Sequence, residues 1–155
     1  MNLDDHYITD ITECSVGDTI LIYNHSYGRT FISKATITRL MKTEFDLEFE
    51  GGAYGTYRTK NMWSRLESYG PYTHPFTGAK MLYSTPEVMR WAEAVTMRNE
   101  ASDLRRSLHS FLEQNFNNTG KMVEISTETV RRAEQILDLE TRSADILDAL
   151  DDSED

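Results

Sequence analysis

The stretch Glu44-Phe45-Asp46-Leu47-Glu48-Phe49-Glu50 leaves its backbone little choice. Acidic and apolar side chains alternate at every step, and a period of two is the repeat of an extended strand with one wet face and one buried face. Lys42-Thr43 before it is short enough for a tight hairpin turn, and Gly51-Gly52-Ala53 after it supplies glycine turn chemistry. The first half of the chain is therefore expected to be strands.

Its neighbours agree. Val16-Gly17-Asp18-Thr19 reads as a turn entering the apolar run Ile20-Leu21-Ile22-Tyr23, and Asn24 to Gly28 reads as the next turn. Arg29 to Met41 then forms a long strand. Ile32, Lys34, Thr36, Thr38 and Leu40 share one of its faces, and Phe31, Ser33, Ala35, Ile37 and Arg39 share the other. Neither face is purely apolar, which is the pattern of a strand that bends and changes its buried side. Tyr54 to Lys60 follows, with a further strand through Met62, Trp63 and Leu66. Short strands joined by tight turns predict a small antiparallel β-barrel over residues 15–66, because closure removes exposed edges. Residues 67–83 are an aromatic loop rich in proline and glycine.

The pattern then changes period. Ser84-Thr85-Pro86-Glu87 combines a capping hydroxyl, a first-turn proline and an acid facing the helix dipole. Val88, Trp91, Ala92, Val95, Leu104, Leu108, Phe111 and Leu112 recur at helical spacing, with the weakest stretch at Arg98-Asn99-Glu100, a place open to a bend or break. Asn117-Asn118-Thr119-Gly120 ends this helix. Lys121 to Ile125 reads as a short extended piece, and Ser126-Thr127-Glu128 as the cap of a second helix. That helix presents Val130, Ala133, Leu137, Ala144 and Leu147 as its pairing face, widened by Ile136, Leu139, Ile146 and Leu150. Folding back on the first helix as an antiparallel pair is the expected arrangement, with pairing to another chain as the alternative. The predicted class is α+β: an N-terminal small antiparallel barrel followed by a helical half, residues 84–150, made of a long helix and an acidic amphipathic one. An acidic segment, residues 1–14, leads in, and residues 151–155 are expected to form a disordered acidic tail.

Composition enters through charge. The 155 residues carry a net charge of −10, but unevenly. Residues 1–19 hold −5, residues 20–70 hold +2, residues 71–120 are neutral, and residues 121–155 hold −7. As a whole the chain opposes salt-driven coating of nucleic acid, yet the strand-rich part does not share that sign. No apolar run reaches the roughly 18 residues of a membrane span. The acidic N-terminus lacks the order of a secretion leader, and the single Cys14 makes no internal disulfide, so a cytoplasmic compartment is expected, the host cytoplasm if the protein is viral.

Chemical motifs are sparse. His6, His25, His74 and His109 are scattered, and none has the short ligand spacing of a zinc site with another or with Cys14. There is no nucleophile elbow, phosphate-binding loop or dinucleotide fingerprint, so neither a catalytic residue, a metal nor a cofactor is expected. The acidic row Glu44, Asp46, Glu48 and Glu50 is read as a solvated strand face. The constellation that stands out is aromatic and basic: Tyr54, Tyr57, Arg58, Lys60, Trp63, Arg65, Tyr69 and Tyr72. Such a set can anchor a protein partner, stack single-stranded bases while pairing phosphates, or simply pack between barrel and helices. Arg29, Lys34, Arg39 and Lys42 extend the basic surface only if they face one way, and Lys34 and Arg39 have opposite strand parity.

The segments Val16-Gly17-Asp18-Thr19-Ile20-Leu21-Ile22, Ala35-Thr36-Ile37-Thr38-Arg39-Leu40 and Phe45-Asp46-Leu47-Glu48-Phe49 together resemble a Src-homology-3-like small barrel. Tudor and KOW-type modules share that build, as do small proteins of tailed bacteriophages that join such a barrel to helices and an acidic tail. The resemblance covers roughly residues 15–66. It implies a platform for peptides, RNA or larger machines and implies no catalysis. The expectation is therefore a non-enzymatic, phage-type binding protein that modulates a host or viral protein machine, including a defence complex, through the barrel and aromatic loop. A protein partner comes first, and no membrane is involved. Nucleic-acid binding through residues 29–65, a virion or scaffold role, and homo-oligomerisation through the C-terminal helix are the alternatives.

Overall fold

In a computed structural model, which describes residues 1–26, 29–59, 80–115 and 122–152, the alternation at 44–50 sits in the middle of an antiparallel meander. The strands are β1 (Thr19–Ser26), β2 (Arg29–Leu40), β3 (Glu44–Phe49), β4 (Tyr54–Arg58) and β5 (Lys80–Tyr83). They pair in the order β4-β3-β2-β1-β5, every pair antiparallel. The Lys42-Thr43 turn is closed by the Met41 amide donating to the Glu44 carbonyl at 2.8 Å. Gly51 and Gly52 turn the chain into β4 at φ of 103° and 81°, a backbone region that side chains with a Cβ resist.

Two expectations are corrected here. Lys80–Tyr83, placed in the aromatic loop from sequence, is a strand that pairs with β1 from Ile20↔Tyr83 to Tyr23↔Lys80. And the sheet is open: β4 and β5 lie at opposite edges and do not pair among the described residues. The inner face is closed by another part of the chain. Ile8, Ile11 and Cys14, from a segment expected to be a loose acidic lead, are buried in one cluster with Ile20, Ile22, Ala35, Ile37, Phe45, Leu47, Tyr57 and Met81. The same segment runs beside β5, where the Ile8 amide donates to the Met81 carbonyl at 2.9 Å and Tyr7 bridges Leu82. It thus covers part of an edge as well as a face. Its two 3-10 turns, Leu3–His6 and Ile11–Glu13, are capped by the side chains of Asn2 and Asp10. Asp10 accepts from both the amide and the hydroxyl of Thr12, at 2.9 and 2.7 Å, which lowers its pKa.

The long strand changes its buried side by a bulge. Ile37 pairs with Leu47, but Arg39 pairs with Asp46 and Leu40 with Phe45, so Thr38 is the extra residue. Before it Ala35 and Ile37 point inward; after it Leu40 does, and Arg39 turns to the face of Lys34 and Thr36. The buried run Ile20-Leu21-Ile22 is apolar on both faces, with Leu21 opposite Leu82 on the side away from the inner cluster.

The chain divides into two compact units, Asn2–Met89 and Arg90–Asp155. The boundary falls inside helix α1 (Pro86–Asn115), whose start is as expected: the Thr85 hydroxyl oxygen accepts from the Val88 amide at 3.3 Å. Two local features of the helices differ from what the residue order left open or suggested. No break occurs at Arg98-Asn99-Glu100, because the buried row continues across it through Met97 and Ala101. Met122–Ile125 is the first turn of α2 (Met122–Asp151), not an extended piece. Ser126 and Thr129 sit inside that helix, their hydroxyls donating back to the Met122 and Ile125 carbonyls at 2.8 and 2.7 Å. Of the expected turn Asn24 to Gly28, the first three residues continue strand β1 to Ser26; residues 27–28, the strand through Met62 and Leu66, the Asn117–Gly120 helix end and residues 153–155 lie outside the described residues.

The burial of the N-terminal segment is testable. Ile11 is fully buried, so Ile11→Ala is expected to cost about 2–5 kcal/mol, the range for large-to-small core substitutions. Urea unfolding followed by circular dichroism measures this, with Leu47→Ala as reference. A loss below about 0.5 kcal/mol, the scale of surface substitutions, would return residues 1–14 to the status of a loose lead.

Candidate functional site

The outer face of the sheet over β2, β3 and β4 is built of paired charges. The bulge brings Lys34 and Arg39 to one side despite their opposite parity, but both meet carboxylates there. Arg39 grips Asp46 through Nε and Nη2 at 2.6 and 3.1 Å, and the Thr56 hydroxyl adds a third donor at 2.7 Å. This arrangement, the Arg39 hydrogen bond foremost, holds the Asp46 carboxyl below its ordinary pKa. Lys34 Nζ lies 3.1 Å from Glu50, and Arg29 sits over the Phe31 ring at 5.7 Å. The alternation of Glu44, Asp46 and Glu48 therefore places them on the outer face, where Asp46 and Glu48 answer the bases and hydroxyls of their neighbours.

The aromatic set does not assemble as one surface among the described residues. Tyr54 is exposed, and its hydroxyl donates to Glu48 at 2.9 Å; that carboxylate raises the phenol's pKa. Tyr57, expected on a binding surface, is instead only 4% exposed and stacks on Phe45 with ring centroids 5.1 Å apart. Strand parity explains the correction: Tyr57 pairs with Phe45 on the inner face, whereas Tyr54 pairs with Glu48 on the outer one. Arg58 lies in β4, and Lys60, Trp63, Arg65, Tyr69 and Tyr72 lie outside the described residues.

The titratable side chains offer little reactive chemistry. Burial first, and then Asp18, Glu13 and Asp10, push the Cys14 thiol up, away from a nucleophilic thiolate. His25 contacts the Thr30 hydroxyl at 3.1 Å and His109 meets Glu113 at 3.5 Å. Among the described residues no group of three or more His, Cys, Asp or Glu is placed to hold a metal, and no helix is long and apolar enough to cross a membrane.

In the helical unit α1 and α2 pack antiparallel. The buried Ser143 hydroxyl donates to the Ala94 carbonyl at 3.0 Å, and Arg132 reaches Ser107 near the other end. Met97, Ala101, Ile136 and Leu139 form the seam, extended by Leu104, Leu108 and Ile146. Positions 94, 97, 101, 104 and 108 on α1, and 132, 136, 139, 143 and 146 on α2, step by three and four, the spacing of a coiled-coil seam. Arg132 closes that seam with its guanidinium over the Phe111 ring at 4.7 Å. It shares Glu128 with Arg131, and these hydrogen bonds, that of Arg131 foremost, pull Glu128 down to about 2. Beside the seam an open groove of about 530 Å³ runs over Met97 and Leu139 between Glu93, Glu100 and Asp138.

The expected pairing face is displaced. Val130 and Leu137 are 56% and 62% exposed, Ala144 is exposed, and Ala133 and Leu147 are half-buried. The residues expected only to widen the face carry the contact. Ala94, Ala101 and Ser143 were missed as contact residues because small side chains barely register as apolar, although their three-four spacing with Met97 and Leu139 was available. Val130, Ala133, Leu137, Ala144 and Leu147 form a second row with the same spacing, turned outward. Compared with protein-family models, curated proteins and solved structures, the chain matches none of them.

Two predictions follow from these placements. The Tyr57 hydroxyl is buried with no hydrogen-bond partner among the described residues, so Tyr57→Phe is expected to unfold no earlier than the parent chain, gaining up to about 1 kcal/mol. Tyr57→Ala removes the stacked ring and should lose about 3–5 kcal/mol; denaturant titration of the three chains decides. Glu128 is charged more readily folded than unfolded, so its contribution is whole above its ordinary value of 4.5 and disappears as pH falls through about 2. Thermal melts of parent and Glu128→Gln should differ at pH 7, converge below pH 4.5 and coincide near pH 2. A gap that stays constant over that range would refute the role of the Glu128–Arg131–Arg132 cluster.

Proposed function

We propose that this chain is a non-enzymatic binding protein whose work is to dock a macromolecular partner, a protein first of all. The observation that carries the reading is the outward row of α2. Single exposed apolar residues are ordinary on protein surfaces, but Val130 and Leu137 stand in register with Ala133, Ala144 and Leu147 at seam spacing. A row of that kind is the shape in which helices recognise one another.

The sheet unit belongs to the same proposal as a small-barrel relative of the phage-type modules, acting in the cytoplasm on a host or viral protein machine. What supports the relation is the sharp turn Ser15–Asp18, in which Asp18 accepts from the Ser15 amide at 2.7 Å, followed by the meander β1 to β4. The sheet is open among the described residues, so the relation rests on this turn and meander alone. Nucleic-acid binding through residues 29–65 is the weaker reading, because Lys34 and Arg39 already face Glu50 and Asp46. Bases so paired release few counterions on meeting a phosphate backbone.

Photo-crosslinking tests the proposal. A photoreactive residue is placed at Leu137, at Tyr54 and, as control, at the solvent-facing Arg106, and exposed to extract of the cells the protein comes from. A discrete macromolecular adduct is expected at Leu137 or Tyr54 and not at Arg106. No adduct at any position, together with turnover of a small molecule by the purified chain, would replace binding with catalysis.

A further inference from the structure

We infer that the outward row of α2 receives a basic amphipathic helix. The inference rests on the binding reading above and adds the chemistry of the partner. Its first support is geometric. Val130, Ala133, Leu137, Ala144 and Leu147 occupy successive seam positions, with Glu140 taking the remaining place between Leu137 and Ala144. Ile136, Leu139 and Ile146, on the neighbouring seam of the same helix, are filled by α1. Thus α2 carries two seams with one of them occupied among the described residues.

The second support is charge. At about 100° per residue, Asp148, Glu134, Asp145 and Asp138 follow one another round the helix on the side of the row away from the α1 seam. From Ala133 to its end at Asp151 the helix holds six acids and one base. That base, Arg142, already reaches Asp138 at 3.3 Å. Within the row Glu140 is paired with Arg105 of α1, and Arg131, next to Asp138 on the acidic side, is held by Glu128. Among the described residues Glu134, Asp145 and Asp148 form no ion pair. An apolar row with uncompensated acids along its open edge complements a helix whose apolar face is bordered by Lys and Arg.

The same charges disfavour a second copy of this chain. Antiparallel pairing of α2 with itself across this row sets the two acidic edges side by side and places Glu140 against Leu137. Like-charge edges of this kind are how helices reject a partner. A nucleic acid is rejected for the same reason.

The test uses the full chain and a synthetic helical peptide about three heptads long, with Leu at its seam positions and Lys at the flanking ones. A second peptide keeps the Leu seam and carries Glu instead of Lys. Fluorescence anisotropy is expected to show saturable binding of the Lys peptide, about tenfold tighter than the Glu peptide and weakening with added salt. Leu137→Gln and Val130→Gln leave every charge in place and should each weaken it about tenfold, and Asp145→Asn with Asp148→Asn should remove much of the salt dependence. Circular dichroism confirms that each variant keeps its helix, which the exposure of these side chains favours.

Equal binding of the two peptides, or of parent and Leu137→Gln, overturns the inference. So does a concentration-dependent dimer that Leu137→Gln abolishes, which would make the occupant a second copy. If the Lys peptide fails while a crosslinked partner is found at Tyr54, this inference falls and the binding function stands. If both fail, both fall.

Discussion

An open sheet cannot leave an apolar face in water; something must lie on that face. Here the chain's own first residues do so. Ile8, Ile11 and Cys14 fill the inner side against Ile20, Ile37, Phe45 and Leu47, and the same backbone runs along β5. Everything outside depends on this closure. With the inner face sealed, the other side of β2, β3 and β4 is free to carry a lattice of charges, and Tyr57 is drawn inward as core. The acidity of residues 1–19 is compatible with such a role because the acids project from short 3-10 turns while two isoleucines and the cysteine point in.

Much of this was legible in the residue order. The alternation at 44–50, the two-residue link at Lys42-Thr43, the double glycine and the Thr85-Pro86 helix start all act through local sterics or local hydrogen bonds, and a one-dimensional pattern records those directly. What eluded the pattern depends on partners distant in sequence. Lys80–Tyr83 is a strand because β1 offers it an edge, and its four residues are too few to show a period. The open form of the sheet follows from that same edge pairing and from the N-terminal segment's position. Ser126 and Thr127 look like a cap, yet the helix had already begun at Met122, where the apolar spacing was too short to reveal it.

The candidate surface was legible in a different way. The row Val130, Ala133, Leu137, Ala144 and Leu147 was visible as an apolar face of the last helix, but sequence could not say which of two overlapping faces would meet α1. The residues that α1 presents decided it. Met97 and Ala101 of α1 meet Ile136 and Leu139 of α2 in one buried cluster, and the Ser143 hydroxyl donates to the Ala94 carbonyl beside it. The face with larger exposed side chains was left over. In contrast, the basic and aromatic set of residues 54–72 splits by parity where it is described, Tyr54 outward and Tyr57 inward.

The extra residue at Thr38 has one more implication. Strand parity works like a reading frame with two settings, and β2 is read in one setting up to Ile37 and in the other from Arg39 onward. If Thr38 instead paired in regular register with Asp46, Arg39 would fall opposite Phe45 and Leu40 opposite Glu44, sending a guanidinium to the inner face and an aliphatic side chain to the outer one. Deleting Thr38 would leave Ile37, Arg39 and Leu40 opposite Leu47, Asp46 and Phe45 in a single regular setting. The bulge is thus a splice, letting one continuous strand carry two sequence frames against a single unbroken partner.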